Sequence, residues 1–119
     1  METPFAPLPE SIKQDLENHL KWLANPNEGT QLHWFQKDVR GLDFRKSCFR
    51  NAVLIGADFS ESNLKRACFE SAHLYDCMFY DSILRQVSFK KADIHGCVFR
   101  RANTYNARFD DAKLVKTFF

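Results

Sequence analysis

The sequence predicts an all-β solenoid of about four coils, closed at its N-terminal end by an α-helix. Three observations carry this expectation. A bulky apolar residue recurs every five positions over the last two-thirds of the 119-residue chain. Phe and Leu alternate along that series, so the fuller period is ten or a multiple of it. Ahead of the series lies a segment with apolar residues at helical spacing. A period of five matches neither the helix period nor the strand period. A chain that keeps it has to turn regularly and bring equivalent positions into register, which describes stacked coils around one continuous core.

Composition sets the outer limits. A chain of 119 residues, 45% hydrophobic and 27% charged, is one folded domain. Four Gly and four Pro are too few punctuators for a protein of many hairpins. No run of 18 apolar residues is present, so no membrane span is expected. Residues 1–10 lack a basic stretch followed by an apolar one, so no secretion signal is read and a cytoplasmic location is expected.

The first element is the helix. Ile12, Leu16, Leu20 and Leu23 recur at helical spacing with Trp22 beside them, Ser11 and Gln14 have the spacing of a capping box, and Asn25-Pro26 is a stop. The expectation is an amphipathic helix over about 10–24 lying on the first coil, with partner binding as its other possible use. In the lead-in segment Leu32–Val39, Leu32 and Trp34 keep phase with the repeat but Lys37 breaks it. The chain therefore divides into residues 1–38, helix and lead-in, and residues 39–119, the repeat.

From Phe44, steps of five reach sixteen positions, fifteen of them Phe, Leu or Ile. Nine of the twelve Phe residues fall in this one phase. Two positions earlier in each unit the residue is small, Ala in eight cases of sixteen. The other three positions are mainly polar. Stacking at twenty residues yields four columns. One holds Phe49, Phe69, Phe89 and Phe109, and the opposite one Phe59, Phe79, Phe99 and Phe119. Between them fall Leu54, Leu74, Ile94 and Leu114, and Phe44, Leu64, Leu84 and Thr104. Facing aromatic walls with aliphatic walls between would fill a narrow interior.

Units such as Ala57-Asp58-Phe59-Ser60-Glu61 and Ala92-Asp93-Ile94-His95-Gly96 resemble those of the pentapeptide-repeat proteins, over roughly residues 39–119. The resemblance implies a right-handed quadrilateral β-helix with four units to a coil, the small and central residues pointing inward. His19, Trp22, Leu23 and Gly29 resemble the leader found before many bacterial and phage members of that family. A bacterial source and no cofactor are what the resemblance implies.

The repeat reaches Phe119 with no capping helix, so Phe109, Leu114, Phe118 and Phe119 are expected to expose apolar surface. Three readings fit: fraying, a different partner protein, and the favoured one, end-to-end homodimerisation across a twofold axis. Some family members dimerise this way. Met78, Val98 and Phe118 form an outward apolar column near the same end, with Tyr80 and Arg100 beside them. This wall and the last coil are the expected contact surface.

Catalytic and metal constellations are not found. None of the four cysteines forms a C-x-x-C pair. Cys77 and Cys97 fall on the inward small position and read as core residues. Cys48 and Cys68 point outward, one above the other; a reduced dithiol is favoured, with a redox or metal role or a disulfide as the other readings. His73 sits over Asp93, and His95 shares that wall with Tyr75 and Asp76; a metal site could be drawn there, but ordinary surface contacts are favoured. A filled solenoid also has no deep pocket, so no enzyme activity is expected.

Charge divides unevenly. Residues 1–38 hold three basic and six acidic side chains, whereas residues 39–119 hold 14 basic and nine acidic ones. Arg45, Lys65 and Arg85 stack into a basic stripe flanked by Lys46 and Arg66. A solvated face is the favoured reading, then an acidic protein surface; direct nucleic-acid binding is not expected. Arg50, Glu70, Lys90 and Asp110 alternate in sign, as pairs between coils would. The family resemblance also implies a possible target, since some members mimic duplex DNA and bind DNA gyrase or topoisomerase IV. Mimicry needs an acidic rod, and this one is basic. The Phe/Leu alternation and the cysteines resemble the quinolone-resistance branch, but the projecting loops of that branch are missing. The expected function is a rigid, non-catalytic protein–protein interaction module. A topoisomerase modulator is the first alternative and a secreted bacterial effector the second.

Overall fold

The computed structural model describes residues 4–119, so the first three residues of the 1–38 segment lie outside it. Helix α1 spans Glu10–Ala24 and is followed by five short strands: β1 His33–Phe35, β2 Val53–Ile55, β3 His73–Tyr75, β4 Asp93–His95 and β5 Lys113–Val115. They form one parallel sheet in sequence order. Each residue pairs with the one twenty positions on, so Trp34, Leu54, Leu74, Ile94 and Leu114 align. From Asp38 on, the other three walls use single bridges with the same offset. They run Asp38–Asp58–Met78–Val98–Phe118, Asp43–Asn63–Ile83–Asn103 and Cys48–Cys68–Ser88–Arg108. The result is a four-sided β-solenoid.

One hydrogen-bond rule repeats around every coil. The N–H of the central residue donates forward, as Phe59 does to the Met78 carbonyl at 2.8 Å. The residue before it donates back, as Asp58 does to Lys37 at 2.9 Å. The residue two after it donates forward again, as Glu61 does to Tyr80 at 2.8 Å. Backbone groups are thus paired without hairpins.

The corners explain how so few glycines suffice. The residue two after each centre is left-handed, from Gln36 (φ 51°) to Lys116 (φ 49°), and only Gly41, Gly56 and Gly96 among these corner residues are glycine. Left-handed backbone costs a non-glycine residue roughly 1–2 kcal/mol. The N–H it aims at the next coil contributes about 0.5–1.5 kcal/mol in return. On three walls the corner is also closed by a bond such as Ser47 N–H to the Phe44 carbonyl at 3.0 Å, the pattern of a type II turn. Asp or Asn before the centre stiffens the corner further, since its side chain accepts the N–H two residues on. Asp43 does so for Arg45 at 3.2 Å, and Asp58 for Ser60 at 2.9 Å.

Inside, both aromatic columns form as the twenty-residue period predicts. Phe49, Phe69, Phe89 and Phe109 stack at 4.7, 5.0 and 4.9 Å between centroids. Phe59, Phe79, Phe99 and Phe119 stack at 5.2, 4.8 and 5.0 Å. Rings of opposite columns meet edge to face, as Phe79 and Phe89 do at 90°. The two fully buried inward serines are satisfied: Ser62 Oγ donates to the Val39 carbonyl and Ser82 Oγ to that of Phe79.

The N-terminal end is plugged and latched. Trp34 closes the aromatic stack against Phe44, Phe49 and Phe59, and its Nε1–H donates to Asp15 of α1 at 3.0 Å. Twenty-residue pairing begins here, inside the lead-in segment, despite Lys37, and Ala6, ahead of the helix, bridges to Leu42. His19 is fully buried between backbone groups. Its Nδ1 accepts the Leu32 N–H at 2.9 Å, and its Nε2 lies 2.8 Å from the Arg50 carbonyl. A carbonyl can only accept, so the proton sits on Nε2. Trp22 stacks on the imidazole at 5.7 Å. Gly29 (φ +64°) brings the chain so close to the helix that a Cβ would lie 2.2 Å from the Asn18 carbonyl oxygen. Each polar or small residue of the leader thus has a contact that requires it.

Two helix expectations are corrected. Pro9 is the N-cap and no side chain caps the helix; Gln14 Nε2 instead lies 3.5 Å from Asn18 Oδ1. Leu20 is 51% exposed, because the helix turns His19, with Ile12, toward the core. The stop is as expected, with Asn25 extended before Pro26.

Two tests follow from this architecture. Phe79→Ala should lower stability by about 3–5 kcal/mol in urea unfolding, and a loss below about 1 kcal/mol would remove Phe79 from the core. Burial holds the His19 imidazole below its ordinary value of 6.5, against the opposing effect of its bond to the Arg50 carbonyl. As the pH falls through 6.5 the unfolded chain takes up this proton first, so stability is full above 6.5 and declines until the depressed native value is reached. The urea midpoint of the native chain should fall between pH 7 and pH 5 by more than that of His19→Gln, whose amide keeps both bonds without titrating. Parallel curves would refute the latch.

Candidate interaction surface

The last coil differs from those before it. Its inward residues Thr104, Phe109, Leu114 and Phe119 are partly or largely exposed, Leu114 to 44% and Phe119 to 62%. The forward-donating N–H groups of Thr104, Asn106, Phe109 and Asp111 make no hydrogen bond among the described residues. The Phe119 ring is nonetheless ordered against Phe99 below it and Phe109 beside it. The coil therefore presents a flat apolar end framed by open backbone donors.

Around the corner, Met78, Val98 and Phe118 form one continuous bridge column. Met78 and Val98 are half-buried and Phe118 is 52% exposed. Apolar exposure on this wall therefore increases toward the end face, and the two patches are contiguous through Phe118-Phe119. The half-buried Tyr80 lies in this region, with the Arg101 guanidinium over its ring at 5.8 Å. Arg101 is itself held by Asp81 at 2.8 Å. Arg100 is exposed.

The basic stripe is weaker than its formal charge. Arg45 is paired with Asp43 at 2.8 Å; the same bond holds the Asp43 carboxyl below its ordinary range, with burial opposing. Arg66 binds Gln86 at 3.2 Å, and Arg85 lies over the Tyr105 ring at 5.1 Å. Lys46 and Lys65 make no ion pair among the described residues. Of the alternating column, Arg50 and Glu70 pair at 3.3 Å, while Asp110 turns to Arg108.

The histidine wall is an ordinary network. Asp93 accepts from Tyr75 Oη–H at 3.0 Å and lies 2.6 Å from His95 Nε2, with His73 Nδ1 at 3.7 Å. Burial would raise the Asp93 carboxyl, but the Tyr75 and His95 bonds outweigh it and hold it low. Among the described residues no group of three His, Cys, Asp or Glu side chains is placed to hold a metal ion. Cys77 and Cys97 are buried, their thiols donating to the Leu54 and Leu74 carbonyls at 3.3 and 3.2 Å. Cys48 and Cys68 are half-buried and paired in register on their wall.

Sequence reasoning overlooked Phe35, which is 71% exposed and aligned with Ile55 and Tyr75 on the outer face of the sheet. The signal was there: Phe35, like Phe118, falls outside the inward phase.

No helix among the described residues is long and apolar enough to cross a membrane. No curated protein matches the sequence. Two of the solved structures that share the fold illustrate the likeness. One is HetL of the cyanobacterium Nostoc sp. strain PCC 7120, a pentapeptide repeat protein involved in heterocyst differentiation regulation. It is 18% identical, with a TM-score of 0.60 over 70% of this chain and 33% of that one. The other is QnrB1, a plasmid-mediated fluoroquinolone resistance protein, 20% identical, with a TM-score of 0.58 over 69% of this chain and 47% of that one. The chain thus spans less than half the length of either. The pentapeptide repeats family model matches eight copies, over residues 40–76, 67–103 and 82–119. By these matches and by its four-sided parallel stack, the chain belongs to the pentapeptide repeat family.

Proposed function

We infer that this protein is a non-catalytic protein–protein interaction module, working in a bacterial cytoplasm as an end-to-end homodimer. The observation that carries this reading is the last coil, with Leu114 and Phe119 exposed at inward positions and a row of open N–H donors around them. Apolar surface and unpaired strand edge together favour an occupant that supplies both. A second copy related by a twofold axis does so with the same surface. The Met78–Val98–Phe118 wall, with Tyr80 and Arg100, then borders the joint and is the contact surface for a further protein. The backbone is ordered before it binds, so association costs little conformational entropy.

The second reading is a modulator of DNA gyrase or topoisomerase, drawn from the fold shared with a fluoroquinolone resistance protein. Charge weighs against it, since Lys46, Lys65, Arg66 and Arg85 give the repeat a basic corner where a DNA mimic needs an acidic surface.

Phe118→Glu combined with Leu114→Lys should convert a dimer into monomers in sedimentation equilibrium, and an unchanged mass would remove this face from the interface. Supercoiling of relaxed plasmid by gyrase, titrated with the protein with and without a quinolone, decides the second reading. The interaction-module reading expects no effect at tens of micromolar, while inhibition or rescue from the drug would replace it.

A further inference from the structure

We propose that Cys48 and Cys68 form a reversible redox pair, closing an inter-coil disulfide when a hydroperoxide oxidises Cys48 and Cys68 resolves the product. Their backbones are bridge partners on adjacent coils. The coils are tied here by Phe49 N–H to the Cys68 carbonyl at 2.7 Å and by Cys68 N–H to the Ser47 carbonyl at 2.9 Å. Adjacent parallel strands lie about 4.8 Å apart, inside the roughly 4.4–6.8 Å range of Cα separations that a disulfide spans. The two side chains leave the same face of the same wall, one directly above the other. Joining them requires the Cβ atoms to close only from the ladder spacing of about 4.8 Å to the roughly 3.5–4.5 Å of a disulfide.

Access separates this pair from the other one. Cys77 and Cys97 also stack one coil apart, but they are sealed in the core with their thiols donated to carbonyls. Cys48 and Cys68 are half-buried, so a small oxidant reaches them. The surroundings also differ in charge. Arg50 and Glu70 flank the pair and bind each other at 3.3 Å, and Ser88 Oγ, next in the column, donates to Glu70 at 3.1 Å. Glu70 is thereby engaged on both oxygens, and Arg50 remains beside Cys48.

The two thiols are not equivalent. The hydrogen bond from Cys68 brings the Cys48 thiol down to about 6 against the effect of burial, helped by the Arg50 N–H and guanidinium. The same bond, with burial, pushes Cys68 up. Arg50, two residues along, is the asymmetric element of the pair and favours the thiolate on Cys48.

The chemistry balances. The Cys48 thiolate attacks the terminal oxygen of the hydroperoxide; the O–O bond breaks, and an alcohol, or water from hydrogen peroxide, leaves with one proton. Cys48 becomes a sulfenic acid. Cys68 sulfur then attacks Cys48 sulfur, the S–S bond forms, and the sulfenic oxygen leaves as water with the Cys68 proton. Two electrons pass from the thiol pair to the peroxide. An external dithiol restores both thiols by exchange.

The test treats the full reduced chain with hydrogen peroxide at pH 7, followed by alkylation and mass spectrometry. The expected product is an intact monomer about 2 Da lighter, with peptides containing residues 48 and 68 joined. Dithiothreitol should reverse it. Cys68→Ser should stop at a sulfenic acid that dimedone traps, and Cys48→Ser should lose thiol at least about tenfold more slowly. In the unoxidised protein, the pH at which Cys48 is half-alkylated should rise in Cys68→Ala, which leaves no donor beside it. No mass loss under excess peroxide, a disulfide between two chains, or a bond between Cys77 and Cys97 instead would overturn the proposal. Equal oxidation rates in Cys48→Ser and the native chain would do the same.

Discussion

The phenyl rings in each aromatic column repeat at 4.7–5.2 Å because backbone hydrogen bonds hold successive coils at that distance. The ladder spacing of parallel strands and the contact distance of offset rings are nearly the same length. This coincidence lets one residue per coil serve both purposes. Phe59 donates its N–H to the next coil and stacks its ring on that coil's Phe79. Any other spacing would leave gaps between rings or stretch the ladder. Register, corner geometry and the outward columns all depend on it.

The repeat was legible because its phase is the burial pattern. Inward and outward assignments of Phe and Leu follow from counting by five, and both aromatic columns appear where counting by twenty places them. What escaped the sequence was contact between distant parts of the chain. His19 looks like a polar interruption of an apolar stripe until the Leu32 N–H, 13 residues on, and the Arg50 carbonyl, 31 residues on, are brought to its two nitrogens. Leu20, the better hydrophobe, is left outside because an imidazole can satisfy two backbone groups at once and a leucine none. The corners were likewise hidden. Left-handed backbone suggests glycine, but here Lys, Arg, Asp, Asn, Glu, Gln and Ser occupy it, and from Gln36 to Lys91 each is held there by an N–H donated to the next coil.

The surface was legible in position and less so in charge. Met78, Val98 and Phe118 were found because three apolar residues in an outward phase are unusual, and the structure places them in one bridged column. The basic stripe was overstated, because a corner folds Asp43 back onto Arg45, two residues away, and a formal count cannot see that. The contact of Tyr80 with Arg101 was hidden for a similar reason: Arg101 sits at a left-handed corner position, and its side chain lies over the Tyr80 ring and against Asp81.

The twenty-residue register also makes the molecule behave like a screw thread. Removing or adding twenty residues anywhere in the stack returns every column to itself, so length can change by whole turns while the cross-section stays the same. Removing five residues rotates everything downstream by a quarter turn, carrying an aromatic wall onto an aliphatic one and the Met78–Val98–Phe118 column around a corner. Removing one residue puts the inward side chains outside. Evolution of such a chain is therefore quantised. Its surfaces can be lengthened in steps or turned in quarters, and the smallest change that preserves both interior and orientation is one full coil.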